Sequence, residues 1–169
     1  VTTIRVTRRS SGDAGDAQAP TVRPGAVRLE LIDPVSARTT LDGAWWPRTR
    51  DLNAELAPLL EELGRRGIRA TRVAFNPDSW AAAPRRLRVG DRTVRLGWFR
   101  HLDPQLLNLT GDLRRGRLDL LVVPPDTSEA DAQRAFAAAT DRANGDEPTV
   151  LLSGLDRPGL DPDRGQPAP

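Results

Sequence analysis

Asp42-Gly43-Ala44-Trp45-Trp46-Pro47-Arg48-Thr49-Arg50-Asp51-Leu52 is the stretch on which the reading of the fold turns. It sets two of the chain's four tryptophans side by side, opens on a turn dipeptide, carries two arginines and runs straight into a helix start. It holds no nucleophile and no set of metal ligands. Adjacent residues of an extended chain point to opposite sides, so Trp45 and Trp46 cannot both enter one core if the segment is extended. One ring is then expected to meet solvent, a partner or an arginine plane, with Arg48 and Arg50 near enough in sequence to stack on it. The competing expectation is that both rings seal the core, each with a large buried area.

Working outward, Val27-Arg28-Leu29-Glu30-Leu31 alternates at period two and reads as a strand. Asp33 to Arg50 reads as a long loop holding the double tryptophan. Asp51 is placed to cap a helix whose face is Leu52, Leu56, Leu59, Leu60 and Leu63, ending near Gly64 or Gly67. Pro58 inside it predicts a lost hydrogen bond and a bend, or else the start of a second helix. Further strands are expected over Ile68 to Phe75, Arg85 to Val89, Arg92 to Phe99, Leu106 to Leu109 and Arg117 to Val123. Gly90-Asp91 is a two-residue hairpin signal. Thr127 or Ser128 opens a helix to about Arg142, with Ala135, Phe136 and Ala139 on one face.

This order predicts an α+β domain: an antiparallel sheet of about five strands with two helices packed mainly on one face. The domain spans residues 25–143. Residues 1–24 are too poor in apolar side chains to offset their ordering entropy and read as a disordered tail, apart from a short strand candidate at Thr3 to Val6. Residues 144–169 read as a largely disordered C-terminal tail, interrupted by Thr149-Val150-Leu151-Leu152.

The charge is uneven. The chain holds 25 basic side chains, all arginine, and carries +2 in total, yet residues 65–100 hold ten arginines against only Asp78 and Asp91 and carry +8. If Gly90-Asp91 is the hairpin turn, Leu87 faces Val94 and Arg86 faces Arg95. Leu87, Val89, Val94, Leu96 and Trp98 then share the core face, and Arg86, Arg88, Thr93 and Arg95 the other. Opposed like charges weaken a strand pair, which a carboxylate or a bound anion would relieve. Glu61, Glu62, Asp112 and Asp119 are the candidate internal partners; a nucleic-acid backbone or a phosphorylated small molecule is the external one. An alanine- and arginine-rich, lysine-free composition also fits a GC-rich genome, which competes with any functional reading of arginine.

Several chemistries lack their residues. The absence of cysteine removes disulfides, thiolates and cysteine zinc sites, and the absence of lysine removes Schiff-base chemistry. The sequence holds no Gly-x-Ser-x-Gly elbow, phosphate-binding Walker loop, dinucleotide fingerprint or His-Glu-x-x-His helix. His101 is the single histidine; Asp103 is near enough to orient it, but no nucleophile has a recognisable setting nearby. No apolar run reaches the roughly 18 residues of a membrane span, and no apolar segment follows Arg8-Arg9, so a cytoplasmic location is expected.

Taken together, the Asp42–Leu52 stretch, Trp80 with Pro84-Arg85-Arg86-Leu87, Val94-Arg95-Leu96-Gly97-Trp98-Phe99 and Leu120-Leu121-Val122-Val123-Pro124-Pro125 resemble a small family of actinobacterial proteins carried as a domain of unknown function. The resemblance covers about residues 25 to 140. It implies a cytoplasmic bacterial protein and brings no catalytic residues. The expected function is therefore a non-enzymatic binding or interaction domain without cofactor, its face built from Trp45, Trp46, Arg48, Arg50, Arg86, Arg88 and Arg95. The expected partner is an anionic ligand, an acidic protein or single-stranded nucleic acid. A homo-oligomerising domain and a carboxylate-based hydrolase are the alternatives.

Overall fold

Alternating strands and one leucine-faced helix organise the chain. The computed structural model describes residues 25–32, 40–81, 83–112, 116–141, 143 and 145–153. The elements run β1 (Leu29–Leu31), β2 (Gly43–Trp45), α1 (Leu52–Arg65), β3 (Arg69–Phe75), a 3-10 turn at Pro77–Ser79, β4 (Arg86–Val89), β5 (Arg92–Trp98), β6 (Leu106–Asp112), β7 (Arg117–Val122), α2 (Glu129–Thr140) and α3 (Pro148–Ser153). The seven strands form one sheet in the order β1-β2-β7-β6-β3-β5-β4.

The sheet is mixed, which corrects the expectation of a five-stranded antiparallel one. The pairs β2/β7 and β3/β5 are parallel, and the other four are antiparallel. The Gly43–Trp45 segment, read as loop, is β2, and its register sets Gly43, Ala44 and Trp45 beside Leu120, Leu121 and Val122 of β7. Three residues are too few to display a period, and their partner strand lies more than 70 residues away.

The helices also depart from the one-face expectation. Trp45, Leu120 and Val122 turn to the side of α1, where they join Leu52, Leu56, Leu59, Leu60, Leu63, Val73, Phe75, Val94 and Leu96 in the larger core. Ala44 and Leu121, one residue out of step, turn to the other side and pack against Ala132, Ala135 and Ala139 of α2. The two helices therefore cover opposite faces, and β7 is buried on both, as its nearly continuous apolar run requires.

Local signals explain the helices. Asp51 caps α1, its side chain accepting from the Asn53 and Ala54 amides at 3.0 and 3.2 Å. The helix continues through Pro58 as a single element. Pro58 and Ala54 are both exposed, so the carbonyl of Ala54, deprived of its usual partner, faces water. Ser128 caps α2, accepting from the Asp131 amide at 3.2 Å. Residues 148–153, within the stretch read as the C-terminal tail, form the short helix α3, and its Leu151 and Leu152 pack against the α2 cluster. The N-terminal tail over residues 1–24, with its strand candidate, and residues 154–169 lie outside the described residues.

Candidate functional site

The hairpin forms in the expected register: Arg86 lies opposite Arg95, Leu87 opposite Val94 and Arg88 opposite Thr93. The parallel pairing of β5 with β3 adds a neighbour that hairpin logic cannot supply. Arg72 of β3 lies beside Arg95. Arg86, Arg95 and Arg72 thus stand abreast on three adjacent strands, about 4.8 Å apart from strand to strand. The row continues through Thr110 of β6 to Arg117 of β7.

A β-bulge sets the side to which Arg72 turns. The β3/β6 register slips between Ala70 and Arg72, leaving Thr71 as the extra residue. Ala70 stays in the α1 core upstream, and Val73 and Phe75 enter it downstream, so Arg72 and Ala74 take the other face. Gly111 makes the bulge possible. A Cβ there would fall 2.5 Å from the Arg69 carbonyl oxygen and 2.6 Å from the Thr71 nitrogen.

Among the described residues no helix lies over β3, β5 and β4 on the face carrying this row. Arg72, Arg86, Arg88 and Arg95 are exposed. Among the described residues none of them enters an ion pair: Glu62 is taken by Arg65 and Arg66, Asp78 by Arg100, Asp119 by Arg117, Asp126 by Arg50 and Asp131 by Arg134. Arg88 makes one long hydrogen bond, Nε to the Gly90 carbonyl at 3.4 Å.

One residue row along, Gly97 and Ala74 leave a shallow depression, and Phe99 lies in it. A Cβ on Gly97 would meet the Phe99 ring at 2.8 Å. The Arg72 guanidinium stands 5.8 Å from the centre of that ring, and His101 meets it edge-on with centroids 5.7 Å apart. The surface therefore combines four arginines, a flat aromatic ring and the polar side chains of Thr93, Thr110 and Asn108.

The sequence-derived residues divide into two groups. Arg86, Arg88 and Arg95 lie on this face. Trp45 and Trp46 do not, and the four strands β7, β6, β3 and β5 separate β2 from β4. Both rings are buried, at 1% and 7% relative exposure. They point to opposite faces as alternation demands, but each face has its own core there. Trp45 stacks on Trp80 with centroids 5.7 Å apart. Trp46 donates from Nε1 to the Pro124 carbonyl at 3.0 Å. The cation on Trp46 is Arg28, 3.5 Å from the ring centre, not Arg48 or Arg50. Arg28 also donates to the carbonyls of Trp46 and Pro47 at 3.0 and 2.7 Å. Its burial, with Arg48 nearby, lowers its pKa from the ordinary arginine value. Arg48 donates to the Ala26 carbonyl at 2.9 Å and Arg50 pairs with Asp126 at 3.3 Å, so both fasten the entry to α1.

Arg72 and Phe99 are the site residues that sequence reasoning missed. Alternation with Val73 and Phe75 hints at Arg72, but its place beside Arg95 depends on the bulge and the parallel pairing. Phe99 follows the end of its strand and carries no comparable signal. Asp103, near enough in sequence to orient His101, accepts from the Gln105 amide and the Thr149 hydroxyl, each at 2.7 Å.

A buried polar cluster closes the face toward α2. Asp119 accepts from Asn108 and Arg117, while its own amide donates to an Asp42 carboxylate oxygen at 2.8 Å. Burial raises the Asp119 pKa from its ordinary value; Arg117 opposes that rise and Asp42 adds to it. Among the described residues no group of three or more histidine, cysteine or acidic side chains is arranged to hold a metal ion. No helix among them is long and apolar enough to cross a membrane.

The class so defined is a mixed-sheet domain with α1 on one face, α2 and the short α3 on the other, and an arginine-bearing half-face that no helix among the described residues covers. The chain belongs to a family of unknown function, DUF5994, whose model matches residues 28–139. The match runs from the arginine that stacks on Trp46 to the last buried alanine of α2. No curated protein and no solved structure matches the chain.

Proposed function

We propose that this domain is a non-enzymatic binding module and that the uncovered half of its sheet takes an anionic ligand. The observation that carries the reading is the row Arg86–Arg95–Arg72, three exposed cations abreast without a carboxylate partner among the described residues. Like charges set directly opposite one another destabilise a sheet. A bound anion converts that repulsion into attraction, and arginine offers planar, fork-shaped recognition of phosphate or carboxylate groups. The short flanking strands β1 and β4, three and four residues long, offer little edge for self-association.

The test is binding of inorganic polyphosphate, followed by calorimetry at several salt concentrations. Arg72→Gln with Arg95→Gln should weaken binding at least tenfold. Arg48→Gln with Arg50→Gln removes the same charge elsewhere and should leave affinity within about twofold. Equal losses from the two double variants would mean that overall charge, not this face, attracts the probe, and would reject the reading.

A further inference from the structure

We infer that the anion is a single-stranded nucleic acid, its phosphates lying along Arg86, Arg95 and Arg72 and an unpaired base stacking against Phe99. The inference rests on the anion-binding reading and narrows it to one ligand class. Charge alone would suit an acidic peptide equally. The ring separates the two: carboxylates have no π-face, whereas every base has one, and aromatic side chains on an open basic surface hold successive bases without regard to sequence.

The local construction favours a stacking role for Phe99. The ring lies over Gly97 on the same face as the arginine row, because Gly97 has no Cβ to lift it. Ala74, the parallel neighbour of Gly97, is equally small. Arg72, whose planar guanidinium lies beside the ring, can extend the platform, while His101, set edge-on, borders it. Thr93, next to Arg88, and Thr110, next to Arg72, supply hydroxyls within the same surface. A base must leave its helix to present a face to Phe99, so paired strands should bind more weakly than single ones.

The experiment uses the full chain and fluorescence anisotropy with a labelled twelve-nucleotide oligothymidylate. The comparison probes are a twelve-base-pair duplex and a twelve-residue polyglutamate. The single strand should bind at least tenfold more tightly than either. The logarithm of its association constant should fall against the logarithm of salt concentration with a slope of about −2, for three phosphates neutralised. Phe99→Leu should cost the single strand about tenfold and leave polyglutamate unchanged. Where Phe99→Leu does not fold, amide spectra of the unaltered protein serve instead: the Thr93, Gly97 and Phe99 signals should move on adding the oligonucleotide.

Binding of polyglutamate or duplex as tight as that of the single strand, indifference to the Phe99 change, or amide shifts confined to other surfaces would each overturn the nucleic-acid inference while the anion reading stands. Absence of binding to all three probes and to polyphosphate would overturn both.

Discussion

One face of the sheet is built in two ways. Under α2 it presents Ala44 and Leu121, small and apolar, to Ala132, Ala135 and Ala139. Across β3, β5 and β4 the same face presents Arg72, Arg95, Arg86 and Arg88 to solvent. The reverse side of these arginine strands is as apolar as any part of the molecule, with Val73, Phe75, Leu87, Val89, Val94 and Leu96 all buried. The polar half is therefore no weakness in the strands. It is a half that no helix among the described residues covers, and its side chains suit water and charge. The α2 half shows the alternative: alanines let the helix approach closely, and the strand beneath, β7, becomes apolar on both sides.

The largest test of this difference is a charge placed on each half. Leu121→Arg would bury an unpaired guanidinium under α2 at a cost of several kcal/mol, comparable to the whole stability of a domain this size. It should leave the protein unfolded at 25 °C by circular dichroism. Thr93→Arg, on the open half, should change stability by no more than about 0.5 kcal/mol. Equal tolerance of the two would erase the distinction between the halves.

The double tryptophan tests the seam where the two cores meet back to back. Trp45→Ala and Trp46→Ala should each cost about 3–5 kcal/mol in urea unfolding. The first empties the larger core beside Trp80. The second leaves Arg28 without the ring it lies on. Neither should reduce binding of a polyanion to whatever protein remains folded. A loss below about 1 kcal/mol for either would mean that its ring is not a core residue.

What the sequence disclosed follows the range of the interactions. The leucine period and Asp51 announce α1 because a helix is defined by neighbours three and four residues apart. The Gly90-Asp91 turn announces the Arg86/Arg95 pairing because hairpin register is local. The parallel pairs are not announced. The place of β3 beside β5 emerges only when the whole sheet is assembled, and Arg72 reaches the row only through the Thr71 bulge that Gly111 admits. The assignment of α2 to the far face was hidden likewise. It turns on Ala44, a single small residue in a three-residue strand. Two of the three arginines of the row could thus be read from one hairpin, while the third and the aromatic ring required the tertiary structure.

Asp119 lies on the boundary between the halves, and its titration reports the state of that boundary. Burial raises its pKa in the folded protein above the ordinary 3.8, so the native state holds this proton more tightly than the unfolded chain. The associated stability is present at low pH and is lost as pH rises from about 3.8 through the raised native value. Asp119→Asn should remove that decline, and its advantage over the wild type in urea should grow across the same window and then level off. Glu62, held below its ordinary 4.5 by hydrogen bonds from Arg65 and Arg66, has the opposite sign: its contribution is lost as pH falls below 4.5. A stability difference between Asp119→Asn and wild type that is flat with pH would place Asp119 in water rather than at a buried seam.

The smallest expected effect separates a face built for a ligand from one that is merely solvated. Arg95 is flanked by Arg86 on one side and Arg72 on the other, so it bears the repulsion of the row from two directions. Arg95→Thr replaces it with a side chain suited to strands and should stabilise the free protein by a few tenths of a kcal/mol. Added salt should stabilise the wild type more than the variant, because there is less repulsion left to screen. Saturating polyphosphate should reverse the order, raising the melting temperature of the wild type above that of Arg95→Thr, because a ligand that binds only the folded form stabilises it by mass action. If Arg95→Thr instead destabilises the free protein, the arginine serves the fold, and the open half-face loses its energetic mark as an anion-binding surface.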